Sequence, residues 1–186
     1  MRRSLLVFVI ITLLLIPTLV ISSVTYYKNV KIIASITQQP IIPERPPNAS
    51  YINGFTVSPT GVNIDVSLNS SQIKYINNQG VVDITLMELK VLKEGRITFK
   101  LNTPGYVNVT MMIYSSNGSL IGVYPNNSAI TLSPGNYLII EEVSFPGIPS
   151  INSTDTSFRF EIGGNYVFIV NGVWLIYSIN ESIEIK

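Results

Sequence analysis

An all-β fold is predicted by this sequence: an antiparallel β-sandwich behind a hydrophobic N-terminal helix and a proline-rich spacer. Three observations carry that prediction. Apolar residues recur in period two along most of the chain, the alternation of a half-buried strand. Turn signals return at roughly ten-residue intervals, as in sandwiches and barrels. Helix caps and helical periodicity are missing after residue 24, with Leu86 to Leu92 the one ambiguous stretch. The expected organisation is a leader over residues 1–22, an extended strand over 23–38, a linker over 39–50 and the sandwich over 51–186.

The leader comes first. Arg2 and Arg3 precede an apolar run from Leu5 to Ile21, relieved only by Thr12 and Thr18 among polar residues. A basic start followed by such a run directs a chain to a membrane. As a helix it would span roughly 25 Å, short of the ~30 Å hydrocarbon core. Pro17 weakens its end, and Ser22-Ser23 offers small residues for cleavage. A cleaved export signal is favoured, with an uncleaved anchor as the alternative. Either way the membrane is met at least transiently, and the rest of the chain is expected outside.

Residues 24–38 alternate next. Val30, Ile32, Ala34 and Ile36 share one face with Val24 and Tyr26, while Asn29, Lys31, Ser35 and Thr37 take the other. Lys28 is the one charge on the apolar face. Pro40, Pro43, Pro46 and Pro47 then impose an extended, stiff spacer. An apolar strand held away from its own domain is a liability unless something pairs with it. Insertion into a neighbouring copy would satisfy its backbone and bury its apolar face, so Val30, Ile32, Ala34 and Ile36 are the candidate donated residues.

Beyond the spacer the strands follow in order. Phe55 to Val57 turns through Ser58-Pro59-Thr60-Gly61 into Val62, Ile64, Val66 and Leu68. Ile73 and Tyr75 precede Asn77-Asn78. Val82, Ile84 and Leu86 then change parity to Met87, Leu89 and Val91, which predicts a bulge. Ile97 to Leu101 and Val107 to Ile113 follow, the latter closed by Asn117-Gly118. Leu120 to Tyr124, Ala129 to Leu132 and Tyr137 to Val143 come next. Phe158, Phe160 and Ile162 lead to Gly163-Gly164, expected as a turn. Tyr166 to Val170 pairs across Asn171-Gly172 with Val173 to Ile179, a hairpin apolar on both faces and expected to be covered on both. Ile183 and Ile185 are expected in a separate final strand.

Composition restricts the chemistry. Twelve basic residues face eleven acidic ones, and charged residues are 12% of the chain. No basic patch points to nucleic acid. Cysteine is absent, so no disulfide framework holds an exported domain together. Histidine is absent too, which removes the commonest general base and transition-metal ligand. The acids are scattered, and Glu141 and Glu142 must point to opposite faces of a strand. No catalytic residue, cofactor or metal site is assigned, and a non-enzymatic role is expected. Trp174 and the tyrosines are assigned to core and rim packing.

Asn-x-Ser/Thr triplets occur at Asn48, Asn69, Asn108, Asn117, Asn126, Asn152 and Asn180. Roughly three would arise by chance at this Asn, Ser and Thr content, so seven candidate glycosylation sites are an excess.

Two stretches carry a resemblance. Ile97-Thr98-Phe99-Lys100-Leu101 through Pro104-Gly105-Tyr106-Val107-Asn108-Val109, with Tyr114 and Asn117-Gly118, resembles paired strands of immunoglobulin-like secreted modules. Leu132-Ser133-Pro134-Gly135-Asn136-Tyr137 resembles a turn of such sandwiches. The whole plan of leader, strand, spacer, cysteine-free sandwich and sequons resembles the surface-filament subunits, thread-like or pilin-like, of thermoacidophilic archaea. Arg2-Arg3-Ser4 before Leu5 also resembles the class III signal of archaeal pilins. This resemblance implies a glycosylated cell-surface subunit that self-associates by donating its N-terminal strand. The alternative is a membrane-anchored immunoglobulin-like module that contacts the surface layer or an extracellular ligand. The intact mass of the native protein, stripped of glycans, checks the leader. A start at Ser23 is expected; a start at Leu5 indicates the pilin route, and one at Met1 an anchor.

Overall fold

The computed structural model describes residues 39–125, 129–146 and 157–186. Among them the chain forms two six-stranded sheets, numbered here in chain order. The first runs β1 (Ile41–Glu44), β5 (Gln79–Val91), β10 (Gly135–Pro146), β7 (Asn108–Ser115), β8 (Leu120–Tyr124), with β4 (Lys74–Ile76) also on β5. The second runs β2 (Ile52–Ser58), β3 (Gly61–Leu68), β12 (Val173–Ile185), β11 (Phe158–Val170), β6 (Gly95–Asn102), β9 (Ile130–Leu132). All the pairings are antiparallel except β3 with β12, which run parallel from Gly61 beside Ser178 to Leu68 beside Ile185. Helical structure among the described residues is a 3-10 turn at Ser70–Gln72. The expected all-β sandwich is what the chain builds.

Alternation decides which side chains enter the core. In β3, Val62, Ile64, Val66 and Leu68 are buried, while Asn63 and Asp65 between them face solvent. From the other sheet Ile84, Leu89, Met111, Ile139 and Val143 are fully buried. The parity change in β5 is a bulge: Ile139 pairs with Met87 and Ile140 with Thr85, so Leu86 is the extra residue. Both Leu86 and Met87 are thereby buried. Leu86 to Leu92, ambiguous in sequence, is strand as far as Val91. Aromatic rings fill one part of the core, with Phe145, Phe158 and Phe160 at centroid separations of 5.6–5.8 Å.

Turn chemistry fixes the hairpins. Asn171 and Gly172 have φ of 51° and 77°, the paired positive values of a two-residue β-hairpin turn. Asn77 and Asn78 do the same between β4 and β5, at 51° and 62°. Gly163-Gly164, by contrast, is no turn. Both lie inside β11, opposite Asn180 and Ile179. Ile183 and Ile185 likewise continue β12 and form no separate strand. Gly164 is needed because β6 approaches closely: a Cβ there would stand 2.3 Å from the Lys100 carbonyl oxygen.

The edge of β5 is managed piecemeal. β1 pairs with it from Glu88 to Val91 and β4 from Gln79 to Val81. Between these the Tyr51 hydroxyl accepts from the Thr85 N–H at 2.9 Å and donates to its carbonyl at 3.1 Å. Ile41–Glu44 lies inside the proline-rich stretch; it is extended, as its prolines favour, and docks on β5. The two neighbouring glycines of β11 separate close approach from mere permissiveness. Gly164→Ala should lower stability by about 1–3 kcal/mol in denaturant titration, through overpacking against β6. Gly163→Ala, whose Cβ would meet Asn180 Oδ1 at an ordinary 3.8 Å, should leave it nearly unchanged.

Candidate functional site

The long β11–β12 hairpin reaches past the end of β3. β3 meets β12 only from Ser178 onward, where the Ser178 N–H donates to the Thr60 carbonyl at 2.8 Å. Among the described residues no strand pairs with Val173–Tyr177 on the side away from β11. The result is a five-residue notch, bounded at one end by the β2–β3 turn. On the outer face beside it stand Trp174, 66% exposed, and Ile176, 63% exposed. Their cross-strand neighbours on β11 are Ile169 and Val167. The hairpin is thus covered by the core on its inner face from Tyr177 onward, with Leu175 half-buried, and open on its outer face, contrary to the sequence expectation. Trp174 is not a core residue.

Further along the same outer face the surface turns polar. A hollow of ≈ 460 Å³ is lined by Asn63 and Asp65 of β3, Arg159 and Glu161 of β11, and Asn180 and Ser182 of β12. Its groups largely satisfy one another. Arg159 donates through Nε and Nη2 to Ser182 Oγ at 3.0 and 2.7 Å. Asn180 Nδ2 donates to Asn63 Oδ1 at 3.0 Å.

The sequon asparagines spread over the surface. Asn48, Asn69, Asn108, Asn117 and Asn180 are all exposed. Asn108 opens β7, Asn69 precedes the 3-10 turn, and Asn117 sits in the loop after β7, its Oδ1 accepting from the Ser119 N–H at 3.1 Å. Asn180 differs, because its Nδ2 is already engaged by Asn63. Asn126 and Asn152, the candidate donated residues Val30, Ile32, Ala34 and Ile36, and the cleavage residues Ser22 and Ser23 lie outside the described residues.

One pair of residues escaped sequence reasoning. Glu141 of β10 and Glu181 of β12 point inward from opposite sheets and meet in the core, 0% and 2% exposed. Their strand neighbours are apolar: Ile84 and Met111 flank Glu141, and Ile162 and Ile64 flank Glu181. Apart from the partner carboxyl, no donor reaches any of their four carboxyl oxygens. Burial pushes the Glu141 carboxyl up to about 7, partly offset by its hydrogen bond with Glu181. Glu181 is raised well above the ordinary carboxylate range by burial, by the Glu141 charge and by that shared hydrogen bond. Sealed from solvent, the pair cannot touch a substrate as a glycosidase dyad must. The signal for it was parity: each glutamate occupies an inward position between isoleucines or valine, Ile139 and Val143 for one, Ile179 and Ile183 for the other.

Among the described residues no group of three acidic, histidine or cysteine side chains could hold a metal ion. No helix there is long and apolar enough to cross a membrane. No family model and no curated protein matches the sequence. Solved structures that are similar at low level include two surface proteins. The CupB6 tip adhesin from Pseudomonas aeruginosa shares 13% identity at a TM-score of 0.35, over 78% of this chain and 44% of that one. ACE19, the collagen binding subdomain of Enterococcus faecalis surface protein ACE, shares 10% identity at a TM-score of 0.26, over 64% of this chain and 93% of that one. The chain thus spans less than half the length of the tip adhesin.

Proposed function

We propose that this protein is an exported, non-enzymatic structural subunit of a cell surface, which assembles by adding its N-terminal strand to a neighbouring copy. The observation that carries this reading is the notch on β12. A run of strand backbone without a partner, beside an exposed tryptophan and isoleucine, is a ready template for a further strand. The alternating residues 24–36 have the composition to fill it, with Val30, Ile32, Ala34 and Ile36 on one face. Ladder bonds would supply affinity and the apolar contacts the register. The leader supports export. The absence of cysteine leaves cohesion to the core and the ladder.

Glycans fit the same reading. Asn48, Asn69, Asn108 and Asn117 offer exposed amides, and Asn180 is the least available because of Asn63. A sugar coat would shield a surface that carries few charges.

Removing residues 24–38 from the secreted protein tests the assembly. The shortened protein should remain folded, since the described sandwich closes its own core, and should run as a monomer where the full chain forms higher assemblies. Assemblies that persist unchanged after the deletion exclude strand donation. A full chain that is itself monomeric, and captures surface-layer protein, would favour an anchored binding module instead.

A further inference from the structure

We propose that Glu141 and Glu181 form a proton-sharing clasp between the two sheets, which tightens the sandwich in acid and loosens it as the surroundings become neutral to alkaline. An ionised carboxylate only accepts hydrogen bonds, while a protonated one also donates. Two facing carboxyl groups with no other donor can therefore hydrogen-bond only when at least one carries a proton. Fully ionised, they place two like charges in an apolar core with nothing to pair them.

No cation on the neighbouring strands relieves this. Asp83, Glu88 and Lys90 of β5, Asp65 of β3, and Arg159 and Glu161 of β11 lie on outward positions of their strands. So do Glu142 and Glu184, on the same strands as the pair, and β7 carries no charged residue. Every lysine and arginine among the described residues is exposed. The other buried titratable groups among the described residues are Tyr166 and Tyr177, stacked with ring centroids 5.0 Å apart and held above the ordinary phenol range mainly by burial. They stay neutral across the range in which the clasp acts. A divalent cation between the glutamates would need several more oxygen ligands, and Ile84, Met111, Ile64 and Ile162 supply none.

The sign follows from linkage. Both carboxyls are raised in the folded state, so the folded protein binds more protons than the unfolded chain at intermediate pH. Stability from the pair is fully present below the ordinary glutamate value of about 4.3 and declines as pH climbs through about 7. Little opposes this at the acid end. The ion pairs among the described residues are Lys74–Asp83 at 3.6 Å and Lys186–Glu184 at 3.2 Å, both at the surface, where such pairs contribute little.

Denaturant titration of the whole protein from about pH 4 to about pH 8 tests the clasp. The midpoint should fall steadily across that range. In a Glu141→Gln, Glu181→Gln double variant, whose amides keep a donor and an acceptor at every pH, the profile should be flat. A wild-type midpoint that stays level or rises overturns the proposal, as does a double variant that keeps the wild-type slope. So does recovery of wild-type stability at about pH 8 on adding calcium or zinc, which would make the pair a metal site. If the double variant does not fold, proton release decides. Calorimetric unfolding of the wild type near pH 6, in buffers of different ionisation heat, should show net release of protons, and no release would overturn the clasp.

Discussion

Every backbone N–H and C=O in a sheet needs a partner, and the treatment of those at the sheet margins governs this molecule. The chain uses short pieces for the purpose. β1 and β4 each cover part of the β5 edge, Pro43 of β1 is suited to such an edge position, and the Tyr51 hydroxyl serves Thr85 in the gap between them. Arg45 ties the crossing segment down by donating to the Ile52 carbonyl at 2.6 Å and the Ala49 carbonyl at 3.3 Å. Against that care, Val173–Tyr177 stands out. The same hairpin that makes the longest ladder among the described residues leaves five of the 13 residues of β12 without a second neighbour there, and presents Trp174 and Ile176 to solvent.

The interior follows a different rule. Its polar content is confined to few side chains, and two of them are carboxyl groups that only each other can satisfy. Apolar residues of the same volume would pack there without a polar penalty, so the pair is costly wherever it is ionised. It is far less so where protons are plentiful. A domain that lacks disulfides and has little surface charge has few other means to gain stability in acid. The clasp and the weakly charged surface thus favour the same conditions, and neither depends on the other.

Local signals made most of the fold legible. The change of parity from Leu86 to Met87 marked the bulge, Asn171-Gly172 marked its hairpin, and the alternation from Val62 to Leu68 assigned the inner face of β3. Gly163-Gly164 misled because a glycine pair serves close approach as well as turning, and only the position of Lys100 on a strand some sixty residues earlier distinguishes the two. Trp174 misled for a related reason: an apolar strand face implies cover, but the cover need not come from the same described sheet. The glutamate pair was visible as two acids in the apolar phase of their strands. Their meeting was not, because it depends on how two sheets face each other.

Amide hydrogen exchange at Val173–Tyr177 tests strand addition at the open margin of β12 most directly. In the subunit isolated by removing residues 24–38, the amides there that point away from β11 should exchange rapidly, as unpaired edge groups do. In assemblies of the full chain they should become protected, while the rest of β12 changes little. Equal exchange in the two states would contradict strand addition at this edge.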